Sequence, residues 1–512
     1  MDAGRVKPGP IGDGILFPRS SGVLLPVPCL PSTFGIGDLG PYSYRLADYL
    51  HSAGQRVWQI LPLNPTTSVY QYSPYHGAST FACNPLLVSP ELLAAEGLLD
   101  RDELPPPELA EGRIDYTAVA RLKQRLLDRA CMRFKQRLPI EDYARFCAEA
   151  IEWLDDYALF AALSARYRDT AWNRWPLEIQ QRRPEVLTRL RAELGGVLED
   201  IKIAQYFFYQ QWNRLRSYFR ERGIRIFGDL PIYVPFHSAD VWVHPHLFKL
   251  DETGTPLSVT GVPPDYFSTH GQLWGHPVYR WDIHRETRYQ WWIRRFARIL
   301  SLFDYVRIDH FRGLVAYWEV PADDPTAAGG EWVEAPAADF FKELRQHFVC
   351  LPVIAEDLGL ITADVSETMQ RQGFPGMRVL LFGFTDEPAG NVNAIQNIPE
   401  NCVVFTGTHD NNTVRGWFEN EASSFEKRRL ELIFGREPAL DELHWDMIRL
   451  AMMSPARMSI IPVQDLLGLG SEARINCPGR NEDNWLWRMS PGQFAALPQR
   501  RLRELTEAFG RI

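Results

Sequence analysis

Three acidic residues stand where an apolar run gives way to a polar turn. Asp309 closes the run in Tyr305-Val306-Arg307-Ile308-Asp309-His310-Phe311-Arg312-Gly313. Glu356 follows Val353-Ile354-Ala355, and Asp410 lies in Phe405-Thr406-Gly407-Thr408-His409-Asp410-Asn411-Asn412. Period-two alternation puts Tyr305, Arg307 and Asp309 on one side of a strand and Val306 and Ile308 on the other. An arginine two residues ahead of an aspartate on the same face can hold that carboxylate ionised and oriented, which is what a nucleophile needs. The same pattern also describes a structural ion pair at a strand end. The two readings separate only if the other acids converge on it.

Glycosyl chemistry asks for such a set. One carboxyl must keep a proton for the leaving oxygen while another, ionised, attacks the anomeric carbon; in retaining enzymes the two sit about 5–5.5 Å apart. Glutamate suits the acid role because its reference pKa is slightly higher and nearby negative charge raises it further. Asp309 is therefore the candidate nucleophile and Glu356 the candidate acid and base. Asp410 is not assigned by such an argument; it fits a role gripping sugar hydroxyls as the ring flattens, with His409 donating beside it. Asp and His also ligate zinc or manganese, but no H-E-x-x-H or comparable close ligand set occurs, so no metal is expected.

Elements able to bring these acids together follow from the hydrophobic pattern. Apolar runs at 23–27, 57–61, 224–228, 304–308, 352–355, 377–382, 402–406 and 457–463 read as eight strands. Helical spacing separates several of them, as from Tyr42 to Ala53 and from Ile203 to Arg222. Eight strands close a (β/α)8 barrel, in which all C-terminal ends share one face, so acids 47 and 54 positions apart can meet. A doubly wound sheet with an added domain would give a similar pattern over any half of the chain. The expected organisation is a first barrel part at 20–80 and a mainly helical insertion at 81–200, with helices over 118–137, 140–164 and 184–199. Barrel returns at 201–235, an aromatic Gly/Pro-rich loop insertion of little periodicity follows at 236–283, and the remaining barrel occupies 284–512. Five aromatics between Tyr266 and Trp281 argue for an ordered rim in that loop.

Composition narrows the function classes. Fifty-five basic against 64 acidic residues leave a formal charge of −9 without a basic tail, which disfavours nucleic acid as a partner. The seven cysteines are odd in number and isolated, which fits a reducing compartment. Met1 to Pro10 lacks a basic flank with an apolar core, and no apolar run reaches 18 residues, so a cytoplasmic location away from membranes is the expectation. Aromatics make up 12% of the chain; such side chains suit the apolar faces of sugar rings and suit helix packing equally.

From Gly22 to Trp485 the chain resembles the 4-α-glucanotransferases known as amylomaltases or disproportionating enzymes, glycoside hydrolase family 77. The resemblance rests on an ordered series: G-V-L-L-P-V at 22–27, F-G-I-G-D-L-G at 34–40, Tyr72-Ser73-Pro74-Tyr75 and Gly228-Asp229-Leu230-Pro231-Ile232-Tyr233-Val234. It continues through G-V-P-P-D-Y-F-S at 261–268, G-Q-L-W-G at 271–275 and the three acidic segments. The resemblance implies Asp309 as nucleophile, Glu356 as acid and base, and Asp410 as transition-state stabiliser, with sugar contacts from Tyr75, Asp229, Trp274, Arg307, His310 and His409. It implies transfer of an α-1,4-glucan segment to the 4-hydroxyl of another glucan or of glucose, with retention and without organic cofactor or catalytic metal. Maltooligosaccharides, amylose and starch- or glycogen-derived glucans are the implied substrates. Asn412 and His276 depart from the commonest pattern, where aspartate and asparagine are frequent.

Overall fold

A computed structural model describes residues 16–104, 111–264, 269–480 and 482–512. The opening stretch Met1–Pro10 and Asp265–Ser268 of the G-V-P-P-D-Y-F-S motif lie outside the described residues. Among the described residues twelve strands occur in chain order: β1 (Ser20–Leu24), β2 (Val57–Gln59), β3 (Arg225–Pro231), β4 (Ser258–Val262), β5 (Gln272–Pro277), β6 (Tyr305–Asp309), β7 (Ala316–Pro321), β8 (Glu331–Glu334), β9 (Val353–Ala355), β10 (Gly376–Val379), β11 (Cys402–Phe405) and β12 (Met458–Pro462). Eight of them form one parallel sheet in the order β10-β11-β12-β1-β2-β3-β6-β9. Its ends meet where the Ala355 N–H donates to the Pro375 carbonyl at 2.9 Å, next to β10, giving the expected (β/α)8 barrel.

The barrel strands are short and buried on both faces; β1, β9, β11 and β12 are buried at every position. That is why they read in the sequence as continuous apolar runs. Two boundaries differ from the pattern. The first strand begins at Ser20 rather than at 23, because the Ser21 hydroxyl is satisfied inside the core by Gln55 Oε1 (2.9 Å), and it ends before Pro26 and Pro28, which lack the N–H a ladder requires. The run at 377–382 leaves the sheet after Val379 and closes as a 3-10 turn over Leu380–Phe382.

The helical insertion carries helices over Tyr116–Lys135, Glu141–Glu149, Leu154–Arg166 and Pro184–Glu193, so the expected single helix at 140–164 is two. The next helix, Gly195–Glu221, starts earlier than expected and is 27 residues, about 40 Å, long. It grips the chain leaving the β2 end. Gln205 accepts from Cys83 N (2.8 Å) and donates to Cys83 O (2.7 Å), and Gln211 does the same with Ser89 (2.7 and 3.1 Å). These side-chain amides act as extra ladder rungs and fix the segment that follows Tyr75.

The stretch 236–283 is not the unpatterned loop expected. It contains a short helix (Ala239–Val243) together with β4 and β5, which join β7 and β8 in an antiparallel sheet of order β5-β4-β7-β8. The alternation is masked because the β4–β5 register shifts between Val259 and Gly261, and a side chain at Gly261 would strike the Gln272 carbonyl. Tyr279 and Trp281, expected in a rim, are buried, and the Tyr279 hydroxyl donates to Ile232 O (2.7 Å). No described helix is long and apolar enough to cross a membrane.

Candidate active site

Strand register sets the backbone of the site. Asp229 of β3 is the cross-strand partner of Arg307 in β6, and Ile308 is the partner of Ala355 in β9. One step further along each strand, Asp309 and Glu356 lie side by side at the C-terminal end, where Glu356 N donates to Ile308 O (3.1 Å). His310 takes a left-handed backbone (φ 50°), sparsely populated for a residue with a side chain. This turn aims its N–H at Glu356 Oε2 (2.8 Å), and Leu358 N donates to Oε1 (2.8 Å). Beyond β11, Asn411 Oδ1 accepts from both Thr408 N and Thr408 Oγ1 (2.9 Å each), a turn that presents His409 and Asp410.

The charged side chains form one network. Arg307 Nε donates to Asp229 Oδ1 (3.0 Å), while Nη2 reaches Asp229 Oδ2 (3.0 Å), Asp309 Oδ1 (2.6 Å) and the Tyr75 hydroxyl (3.0 Å). Tyr75 in turn donates to Asp229 Oδ2 (2.7 Å) and lies 2.8 Å from His409 Nε2. That nitrogen is also 3.2 Å from Asp410 Oδ2, so a proton on Nε2 is shared between the tyrosine oxygen and the carboxylate. Asp229 is fully buried, whereas Asp309 keeps 30% and Asp410 38% of its side-chain surface open to the cleft.

Charge crowding shifts these groups. Burial pushes the Asp309 carboxyl up, Arg307 opposes this, and Asp229, Glu356 and Asp410 raise it again; the net direction is well above the usual carboxylate range. Burial also raises Glu356, against Arg307 and the two backbone amides. These neighbours titrate together, so the meaningful species is the pair carrying one proton. Asp410 goes the other way: burial opposes its charge, but His409 and then Asn476 hold it well below the ordinary range. Burial works against the Arg307 charge too, and Asp229, Tyr75 and Asp309 outweigh it.

Six of the nine residues singled out in the sequence, Tyr75, Asp229, Arg307, Asp309, His409 and Asp410, thus meet in one connected group. Glu356 and His310, hydrogen-bonded to each other, adjoin it at the end of β6, and Trp274, from β5, packs edge-to-face on His310 with ring centroids 4.7 Å apart. Tyr75 stacks on His409 (5.4 Å), with Trp485 beside both. Tyr266 lies outside the described residues. Neither departure from the common pattern enters the group. Asn412 ties Glu421 (2.8 Å) to Ser471 (3.0 Å), and His276 is buried beside His76 and Tyr233, with burial and then His76 keeping it neutral.

Sequence reasoning missed Asn476, whose Nδ2 donates to Asp410 Oδ1 (2.6 Å), and Arg474, whose Nη2 donates to the Asp410 carbonyl (3.0 Å). Both sit in an aperiodic loop after β12, and no local signal ties them to a residue more than 60 positions earlier.

A model of the 4-alpha-glucanotransferase family, glycoside hydrolase family 77, matches residues 25–494. The 4-alpha-glucanotransferase of Aquifex aeolicus is 45% identical over 471 residues, 92% of this chain and 95% of its own. That of Thermus thermophilus is 42% identical over 507 residues, 97% of this chain and 100% of its own. Among solved structures, the amylomaltase from Streptococcus agalactiae in complex with acarbose superposes with a TM-score of 0.90 at 36% identity, covering 96% of this chain and 99% of that one. With the barrel, the match along nearly its whole length and this identity in hand, the chain belongs to the 4-alpha-glucanotransferase family, glycoside hydrolase family 77.

Proposed function

We propose that the protein moves a segment of an α-1,4-glucan to the 4-hydroxyl of an acceptor glucan or glucose by double displacement, with Asp309 as nucleophile and Glu356 as acid and base. The observation that carries this is the placement of those two carboxyls at neighbouring strand ends, only one of them hydrogen-bonded to Arg307. In the one-proton state the guanidinium 2.6 Å from Asp309 favours the ionised form there; the two backbone amides on Glu356 also favour charge, but as neutral donors they do so less than a full cation, which assigns the shared proton to Glu356.

Asp309 Oδ then bonds to the anomeric carbon as the bond to the leaving oxygen breaks and Glu356 protonates that oxygen. In the second step Glu356 removes the proton from the incoming 4-hydroxyl, whose oxygen bonds to the anomeric carbon as Asp309 departs. Asp410, held ionised, grips ring hydroxyls together with His409, and Tyr75, Asp229 and Arg307 keep the nucleophile in line. Trp274 and His310 offer ring faces to the sugars flanking the reacting bond.

Maltotriose supplied alone tests this. A ladder of longer and shorter maltooligosaccharides is the expected product, and Asp309→Ala or Glu356→Gln abolishes it with the fold intact. Release chiefly of free reducing ends would make water the acceptor, and near-normal turnover in either variant would remove that residue from its role.

A further inference from the structure

Away from the acidic group, between the helical insertion and the helix Gln290–Leu302, lies a cleft of about 300 Å³ that the proposed reaction does not use. This is the lower end of the range for small-molecule sites, which combine apolar walls with a few convergent polar groups. Tyr157, Asp240 and Trp291, all more than nine-tenths buried, line it. The Trp291 indole N–H is a buried donor without a hydrogen-bond partner. Asp240 accepts one bond, from Thr80 N (2.8 Å), and burial lifts its pKa to about 6. Phe81, Trp153 and Tyr209 line the cleft too and are only partly buried.

We infer that this cleft is a second carbohydrate site, holding a terminal glucose or maltose unit of a long α-glucan away from the reacting bond. Flat aromatic surface matches the C–H faces of a sugar, while an indole donor, a phenol and a carboxyl match its hydroxyls. An anionic ligand fits poorly, because Glu149, Glu152 and Asp156 lie at the same cleft and Arg298 is committed to the Phe81 carbonyl (2.9 Å). Arg294, 4.0 Å from Glu152, leaves the cleft without a dominant positive charge. The assignment of a glucan, rather than another neutral polyol, rests on the transferase reading above.

The test uses two independent alterations: Trp153→Ala with Tyr209→Ala, which strips the aromatic surface, and Ala297→Phe, which fills the cleft and removes no packing. Each is compared with the parent on amylose and on maltotriose. Amylose KM is expected to rise about fivefold in both, with maltotriose kcat/KM within about twofold of the parent. Retardation in an amylose-containing native gel, measured in an Asp309→Ala background, should fall in parallel. Unchanged amylose KM and retardation in Ala297→Phe would overturn the site. Equal losses on maltotriose and amylose in that variant would overturn it as well, since a remote holding site cannot affect a substrate too short to reach it. A parent that makes no ladder from maltotriose would refute the transferase reading instead, while the gel measurement would still judge the cleft.

Discussion

Two of the buried cations, Lys123 and Arg307, are used in opposite ways. Where the helical insertion meets the barrel, Lys123 Nζ donates to Asp38 Oδ2 and to the Val88 carbonyl, both at 2.8 Å, and the side chains are 1% and 5% exposed. Asp38 Oδ1 accepts from Gly40 N (3.0 Å), so the pair is matched charge for charge and both carboxylate oxygens are hydrogen-bonded. At the strand ends, Arg307 faces two carboxylates directly, with Glu356 and Asp410 close enough to add negative charge. The balanced pair locks the F-G-I-G-D-L-G loop to the helix Tyr116–Lys135. The unbalanced group keeps a surplus of acid, which retains a proton that an ordinary carboxyl would have lost and so has one to transfer. A buried ion pair is thus structural where its charges cancel, and chemical where they do not.

The largest effect separates the two in function. Asp309→Ala should lower transfer by about 10⁴-fold or more. The same change removes one of several crowded acids, so stability in urea should hold or rise, as it does when strained active sites are relieved. A clear loss of stability would mean that Asp309 belongs with the structural pair. Lys123→Ala should invert the result. It leaves Asp38 buried without its counter-charge, a loss of about 3–5 kcal/mol by urea denaturation, while kcat per folded molecule stays unchanged. A fall in kcat at low temperature, with the protein fully folded, would tie the insertion interface to the chemistry.

Asn476→Ala sharpens the comparison within the acidic group. Asp410 is partly open to the cleft, so one lost hydrogen bond is screened, and a fall of about tenfold in kcat is the expected result. KM should move little, because the grip matters most as the ring flattens. Asn476→Asp should do worse than alanine, since it sets a like charge against Asp410. A rise in KM with kcat intact would make Asn476 a ground-state contact.

Which parts of this were legible in advance follows from period and reach. Parallel strands enclosed on both faces show as apolar runs, so all eight barrel strands, and with them the face on which Asp309, Glu356 and Asp410 end, could be located. Arg307 and Asp309 share one strand, where spacing alone puts them on one side. The four-stranded sheet was hidden because its ladder runs between 258–277 and 316–334, with glycines at the bends and a register shift that breaks the alternation. Asn476 was hidden for a related reason: its partner is distant and the loop around it carries no period. The resemblance supplied the roles of Tyr75, Asp229 and Trp274, whose surroundings in the chain say little by themselves.

The smallest effect is one of pH, and its sign follows from which neighbours press on Asp309. Activity needs the carboxyl pair with one proton. It rises as the first proton leaves and falls as the second does, and because burial and neighbouring charge raise both groups, both limbs should lie above the ordinary carboxylate values near 4. Asp229 is one of the charges that raise Asp309, so Asp229→Asn removes an anion and leaves Arg307 freer to stabilise ionised Asp309. The acid limb of kcat/KM should then move to lower pH, by about one unit or less, even though turnover at neutral pH suffers from the disturbed Tyr75 contact. Lys123→Ala should leave both limbs where they are. If the acid limb of Asp229→Asn moved upward instead, the group would not owe its raised affinity for protons to surplus negative charge, and the distinction between the balanced and the unbalanced ion pairs would have to rest on burial alone.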